Sequence, residues 1–553
     1  MKYGLKSMNC AVLVTVVFCG MVPLYAENST VLEDVSATQT WVLSKLKQGK
    51  VADFSDLSKD PEGERRANQL TAAELMGLLV HVEKNPQLIP AGFRIGGAVI
   101  SGDVDVFDLQ FSKAVVFNKC EFQGSVAIRS STFTSALKLN GSSFSSTLTI
   151  EDVSIGNFSA TQVSVAGDMN LYTVDCRGSC YLGGTFDQEV GIYGSTIRLM
   201  NVEGVFDGGV ILTGCEMRIC FMGDVQSKGD LTVLASTFTS VFSMNDSTFS
   251  EGKIYQSHFT ALNGANATFA TSLDFAFNQV KGSFLGQGMK GQLLRVGESD
   301  IFSLDLQDIQ CEALDLWALK TGAVLLNRAE INKRMFVANS TVSRIGMKGG
   351  AVKGEAKFMF LSNNQAKVSC LLEDVTFHKT CEFIDAQMSL LGLERCTFLD
   401  HVMLGNLTGS SMVIRNCSFK SDLRVLGVNL LDEAPGNMIL ENAVLEKGLH
   451  LTHSKMAQLV MEGSEIGSDF SVTMSQLLGV IMKDSQFHGN VLGRFNTIGF
   501  VEPDLHADAL LRNAFSRWGE GPTQFGGRGR MWRAVLLLMC VAVLVWAFIR
   551  WTH

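Results

Sequence analysis

The sequence predicts an all-β solenoid with a helical cap at each end and a C-terminal transmembrane helix. Three observations predict it. A degenerate repeat fills the middle of the chain, and its period of about 21 residues lies in the range typical of solenoids. Proline is almost absent from that stretch, and Ala534–Ile549 is an unbroken apolar run. The chain has 553 residues, 46% hydrophobic and only 18% charged, with a net charge of −9. Such an apolar content excludes a disordered chain. The mixed, negative charge excludes a nucleic-acid surface, because nothing in it neutralises a run of phosphates.

In chain order, Lys2 and Lys6 precede a mostly apolar run from Cys10 to Leu24, followed by Tyr25-Ala26-Glu27. A basic start, an apolar core and a small residue at the end predict a secretory signal peptide over 1–26, cleaved after Ala26. Residues 27–92 are expected to form a helical N-terminal cap. Within them Leu70–Glu83 has helical periodicity, with Thr71 as N-cap and Glu74 completing a capping box.

The repeat occupies 93–498. Val126-Ala-Ile-Arg-Ser-Ser-Thr-Phe133 has the same form as Leu231-Thr-Val-Leu-Ala-Ser-Thr-Phe238 and Met412-Val-Ile-Arg-Asn-Cys-Ser-Phe419. Each unit is apolar-x-apolar, two mostly polar residues, then small-x-Phe. The first pair alternates as a short strand does, and the second pair alternates again after a corner. Two units close one coil. About 19 coils stacked at the strand spacing of about 4.8 Å would make a rod of roughly 90 Å, with Phe over Phe and small residue over small residue. Proline agrees: of seven, only Pro435 falls between Phe93 and Ile498. Proline cannot donate to a neighbouring coil. The motif fades over about 282–357, where a kink, bulge or lateral loop is expected.

A small residue two positions before Phe or Leu, recurring in steps of about five, resembles the pentapeptide-repeat family. The opening Gly92-Phe-Arg-Ile-Gly-Gly-Ala-Val-Ile-Ser-Gly-Asp-Val-Asp-Val106 resembles large, membrane-anchored, envelope-associated bacterial proteins of this kind, as does the preceding helical segment Trp41–Phe54. The resemblance implies a right-handed, four-sided β-helix. It implies little about activity.

Beyond the repeat, Leu505–Trp518 reads as an amphipathic helix ended by Gly519, and Gly526-Gly-Arg-Gly-Arg530 as a short linker. Residues 499–530 are thus expected to be a C-terminal cap helix and linker, and 531–553 a membrane anchor. Trp532 and Trp551 stand where interfacial anchors belong. The signal peptide puts the body outside the cytoplasm, on the periplasmic side of the inner membrane. Arg528, Arg530 and Arg533 before the span argue for the opposite polarity. Large translocated bodies escape that rule, so the signal peptide decides the expectation.

Chemistry is sparse. Cys396 and Cys417 lie one repeat period apart and stack on adjacent coils, within reach of a disulfide if the compartment is oxidising. The competing reading is that both are small core residues. His450 and His453 would point to opposite faces of a strand, and Cys176/Cys180 and Cys215/Cys220 lack a second ligand pair, so no metal site is expected. No nucleotide fingerprint, Walker-type loop or nucleophile elbow exists, and no cofactor is expected. Asp300, Asp305, Asp308 and Asp315 form an acidic stretch inside the irregular region. Carboxylate clusters serve polysaccharide-cleaving β-helices, so a catalytic site would lie there if the chain were an enzyme. The expected function is a non-enzymatic, membrane-anchored scaffold whose partners are the membrane, envelope proteins or cell-wall polymer. The rivals are a polysaccharide lyase or hydrolase, and an acidic DNA mimic acting on a topoisomerase.

Overall fold

The computed structural model describes residues 36–55, 69–360, 368–431, 436–494 and 496–502. Within them the chain is an all-β solenoid of about 19 coils. Neighbouring coils pair in parallel from the first full coil to the last. The expected signal peptide (1–26), residues 503–530 of the expected C-terminal cap helix and linker, and the anchor (531–553) lie outside the described residues, while 499–502, expected in that cap, belong to the strand Thr497–Glu502. Among those described, no helix is long and apolar enough to cross a membrane.

Inward side chains stack in four series per coil. In the first, Phe93 and Ile95 lie over Val115 and Phe117. In the second, Ile100 lies over Phe122 and then Phe144. In the third, Val104 and Val106 lie over Val126 and Ile128. In the fourth, Phe111 lies over Phe133. The alternation read from the sequence puts both apolar members of each apolar-x-apolar pair inside and the residue between them outside, and the parallel pairing repeats that choice from coil to coil. The result is one continuous buried core running the length of the solenoid. Its Phe rings stack between coils: Phe398 is 5.1 Å from Phe377 and 4.8 Å from Phe419, nearly parallel to both.

The corners are built from two adjacent residues. The first is left-handed, as at Asp152, Asp246, Asn339 and Asn416, with φ between 52° and 58°. Asp, Asn and Gly tolerate that conformation best. The second is small and buried, and between the third and fourth series it is often Ser. There Ser257 Oγ accepts from Ser236 N at 3.1 Å, Asn278 Oδ1 accepts from Ser257 N at 2.9 Å, and Ser299 Oγ accepts from Asn278 N at 3.0 Å. The turn leaves these backbone donors without a strand partner, and the neighbouring coil's side chain satisfies them.

Coil length is nearly constant. Val104 pairs with Val126, Leu148 with Met169 and Val190 with Val210, so each of these coils is one residue shorter than the one named before it. The two long ones come late. Ala356 pairs with Cys381 and Leu423 with Leu449, and residues 361–367 and 432–435 between them lie outside those described. Pro435 is among the residues outside those described.

Over 282–357, where a kink, bulge or lateral loop is expected, the pairing carries a register shift between Cys311 and Ala313. Coils of ordinary length run through the stretch, as Leu294↔Leu314 and Leu314↔Met335 show. What changes is the filling. In the second series Phe269 is followed by Gly291, Cys311, Ile331 and Val352. Two residues earlier the usual small residue has become Met289 and Ile309, both fully buried. In these two coils bulk has moved from one inward position to its neighbour, so the motif vanishes while the coil survives; Ala329 before Ile331 and Gly350 before Val352 keep the small residue first.

At the N-terminus, α1 (Ala37–Lys47) and α2 (Ala72–Lys84) cover the first coil. Ser36 and Gln39 form a capping box on α1, and Thr71 and Glu74 form one on α2. Leu70, expected at the head of the helical segment, instead belongs to a strand, Gln69–Thr71, that pairs with Val99–Ser101 and ends on Thr71, the N-cap as expected. Ala52–Asp53 likewise pairs with Ile95–Gly96. The open strand edge is thus satisfied before Leu75, Leu78, Leu79 and Val82 of α2 seal the core.

Candidate functional site

The four aspartates of the acidic stretch do not converge. Asp300 is exposed beside the fourth series and bonded to Lys320 Nζ at 3.1 Å. Asp305 is buried on the outward side of the first series, where Oδ2 accepts from Gln287 Nε2 at 2.9 Å and Gln307 Nε2 at 3.0 Å. Asp308 is the left-handed corner residue and pairs with Arg328 of the next coil. Asp315 is buried beside the third series, with Oδ1 accepting from Arg334 Nε at 3.1 Å. They occupy four separate positions around the coil, and each has its own partners. The hydrogen bond and charge of Arg328 hold the Asp308 carboxyl below its ordinary range, the opposite of what a general acid needs. Among the described residues no group of three or more His, Cys, Asp or Glu side chains is placed to hold a metal ion.

Cys396 and Cys417 stand where the repeat put them, on adjacent coils. Cys417 Sγ accepts from Cys396 N at 3.4 Å, the bond that Ser makes elsewhere in the corner columns. Both are free thiols, as are the other eight described cysteines, all buried. Their mutual hydrogen bond holds the Cys396 thiol below its ordinary range, and with burial pushes Cys417 well above it. His450 faces outward, with Nδ1 2.7 Å from Ser471 Oγ. His453 is a left-handed corner residue.

Sequence reasoning missed an alignment on the outward side of the third series. Tyr172 pairs with Tyr193, and the same column runs on through Thr213, Leu234, Tyr255, Ala276 and Gly297 to Trp317. The solenoid has one Trp and four Tyr, and all but Tyr181 stand in this column. The signal was present as spacing. Tyr193, Tyr255 and Trp317 are evenly spaced in the chain, each step being three coils. Tyr172 and Tyr193 stack with ring centroids 4.9 Å apart, and Tyr193 Oη donates to Glu189 at 3.0 Å. Burial, then the neighbouring Asp274 carboxylate, pushes the Tyr255 hydroxyl up to about 12.

A second outward column, along the first series, is apolar over its C-terminal half: Leu371, Gly392, Val413, Ile439, Val460 and Ile481 follow one another coil by coil. In the N-terminal half the same column carries Lys138, Ser159, Tyr181 and Asn201. Compared with family models, curated proteins and solved structures, the chain matches none.

Proposed function

We propose that the protein is a non-enzymatic scaffold: a stiff solenoid, carried out of the cytoplasm by residues 1–26 and held at the membrane by 531–553. Its outward columns meet envelope proteins or cell-wall polymer on the periplasmic side of the inner membrane. At finer detail the fold is a right-handed, four-sided, pentapeptide-repeat-like β-helix.

The observation that carries the reading is the parallel pairing of coil on coil, which runs from the first full coil to the last with local register shifts. It repeats every outward position at the strand spacing of about 4.8 Å, which suits a surface that binds by repetition. The carboxylates that chemistry would require are each tied to a neighbouring residue, which weighs against a lyase or hydrolase. The test is protease accessibility of the body in intact cells, spheroplasts and lysates, followed with an antibody to residues 93–498. Digestion as soon as the outer barrier is opened is expected. Protection until lysis would overturn the location, and with it the envelope role.

A further inference from the structure

Tyr255 and Trp317 stand three coils apart in one outward column, about 14 Å at the strand spacing. Between them are only Ala276 and Gly297, so the column dips. The indole of Trp317 lies back across Gly297, where a Cβ would meet Nε1 at 2.2 Å and Cε2 at 2.4 Å. Only glycine leaves room for the ring to lie that way, and the floor of the dip is covered, with Gly297 buried and Ala276 3% exposed. Along the dip, two positions earlier on each strand, run Asp274, Arg295 and Asp315. Asp274 Oδ2 accepts from Arg295 Nη1 at 3.3 Å. The Tyr255 hydroxyl lies beside this carboxylate, whose Oδ1 is buried.

The charges decide the class of ligand. Asp315 is neutralised by Arg334 and Asp274 by Arg295, while the next cation, Lys253, is held by Asp230 at 3.0 Å and Glu251 at 2.8 Å. Among the described residues of this stretch, each of these cations is already engaged, which leaves none of them for a phosphate or a uronate. An aromatic face beside paired polar groups suits a ring with an apolar face and a rim of hydroxyls, which is a pyranose.

We infer that this column is a binding platform for an uncharged polysaccharide, with pyranose rings stacked on the half-buried Trp317 and Tyr255 side chains and the strand continuing along the column toward Tyr193 and Tyr172. The inference deepens the polymer-binding part of the scaffold reading and rests on it.

The test is co-sedimentation of the purified full-length chain with cellulose, chitin and isolated cell-wall sacculi. A soluble polyuronate and oligothymidylate serve as charged competitors. At least one uncharged polymer is expected to retain the protein, with little loss as salt rises from about 50 to about 500 mM, a range that screens ionic contacts. Trp317→Ala is expected to weaken retention about tenfold and Tyr255→Ala several-fold, in line with stacking losses at aromatic platforms. Gly297→Val, which drives the indole off its seat, should match Trp317→Ala. Tyr181→Ala, on another face, should change nothing. Thermal melts check that each variant is folded, which outward substitutions should leave intact. No retention by any uncharged polymer, full retention by a folded Trp317→Ala chain, or displacement by the polyuronate or oligothymidylate would each overturn the platform. Because binding is read on purified protein, its failure leaves the accessibility result standing, and the converse holds too.

Discussion

The coils that stack Phe on Phe and the coils over 282–357 differ in what fills them and agree in how they are wound. In the first kind, a small corner residue and a Phe two positions later share the space, as at Cys396 and Phe398. In the second, Met289 precedes Gly291 and Ile309 precedes Cys311, so the larger member comes first. Gly291 shows how completely the space is taken. A Cβ added there would come within 3.0 Å of Leu294 Cδ2 and 3.3 Å of the Phe269 carbonyl oxygen. The comparison teaches that a constant inward volume and a near-constant coil length hold this fold. The motif is one way to supply that volume.

The largest expected effect is in the Phe stack. Phe398→Ala removes a ring sandwiched between Phe377 and Phe419 and should cost about 3–5 kcal/mol, whereas Ile331→Val in the other region should cost about 0.5–1.5 kcal/mol. Chemical denaturation of the two variants measures the contrast, and equal losses would break it. Next, Gly291→Phe overpacks its coil and should cost about 1–3 kcal/mol. Adding Met289→Ser restores the common pattern and should recover part of that loss, a favourable coupling in a double-mutant cycle. Strict additivity would mean that the two positions do not share one volume.

The corner columns come third. Asn278→Ala strips an acceptor from Ser257 N and a donor, Nδ2, that reaches the Ile254 carbonyl at 2.7 Å, and it should cost about 1–3 kcal/mol by leaving buried groups unpaired. The smallest effects belong to the charge pairs between coils. Arg395 beside Asp374, Lys348 and then Arg395 beside Glu373, and Arg328 beside Asp308 hold those carboxyls below their ordinary range. A lowered native pKa gives stability that is present above the ordinary carboxylate range and lost as pH falls through the lowered value. Thermal midpoints of the wild type should therefore sag slightly as pH drops from about 5 toward about 3, and Arg395→Ala should sag less. A larger acid loss in the variant would contradict the pairing.

The same comparison explains what the sequence made legible. The solenoid was readable because its units repeat alternation and size together, and the scarcity of proline reports backbone pairing directly. The stretch over 282–357 read as irregular because its volume is conserved across two positions, which no single-position pattern detects. The left-handed corners were legible in principle, since Asp, Asn or Gly recurs just before the small residue, but Phe277, Arg328 and Met474 occupy the same conformation and blur the signal. The acidic stretch looked like a cluster because four aspartates are close in sequence. Winding into coils spreads neighbours in sequence around the circumference and gathers residues one coil apart. Hence the aspartates separate, and Tyr193, Tyr255 and Trp317 align.

Hydrogen exchange of the native chain, read by mass spectrometry along its length, tests the central claim most directly. If coil length and inward volume hold the fold, amides over 282–357 should be protected as strongly as those over 104–281 and 381–423, because each coil donates to the one beside it. Rapid exchange over 282–357 between two protected flanks would contradict the account and restore that stretch as a break in the solenoid.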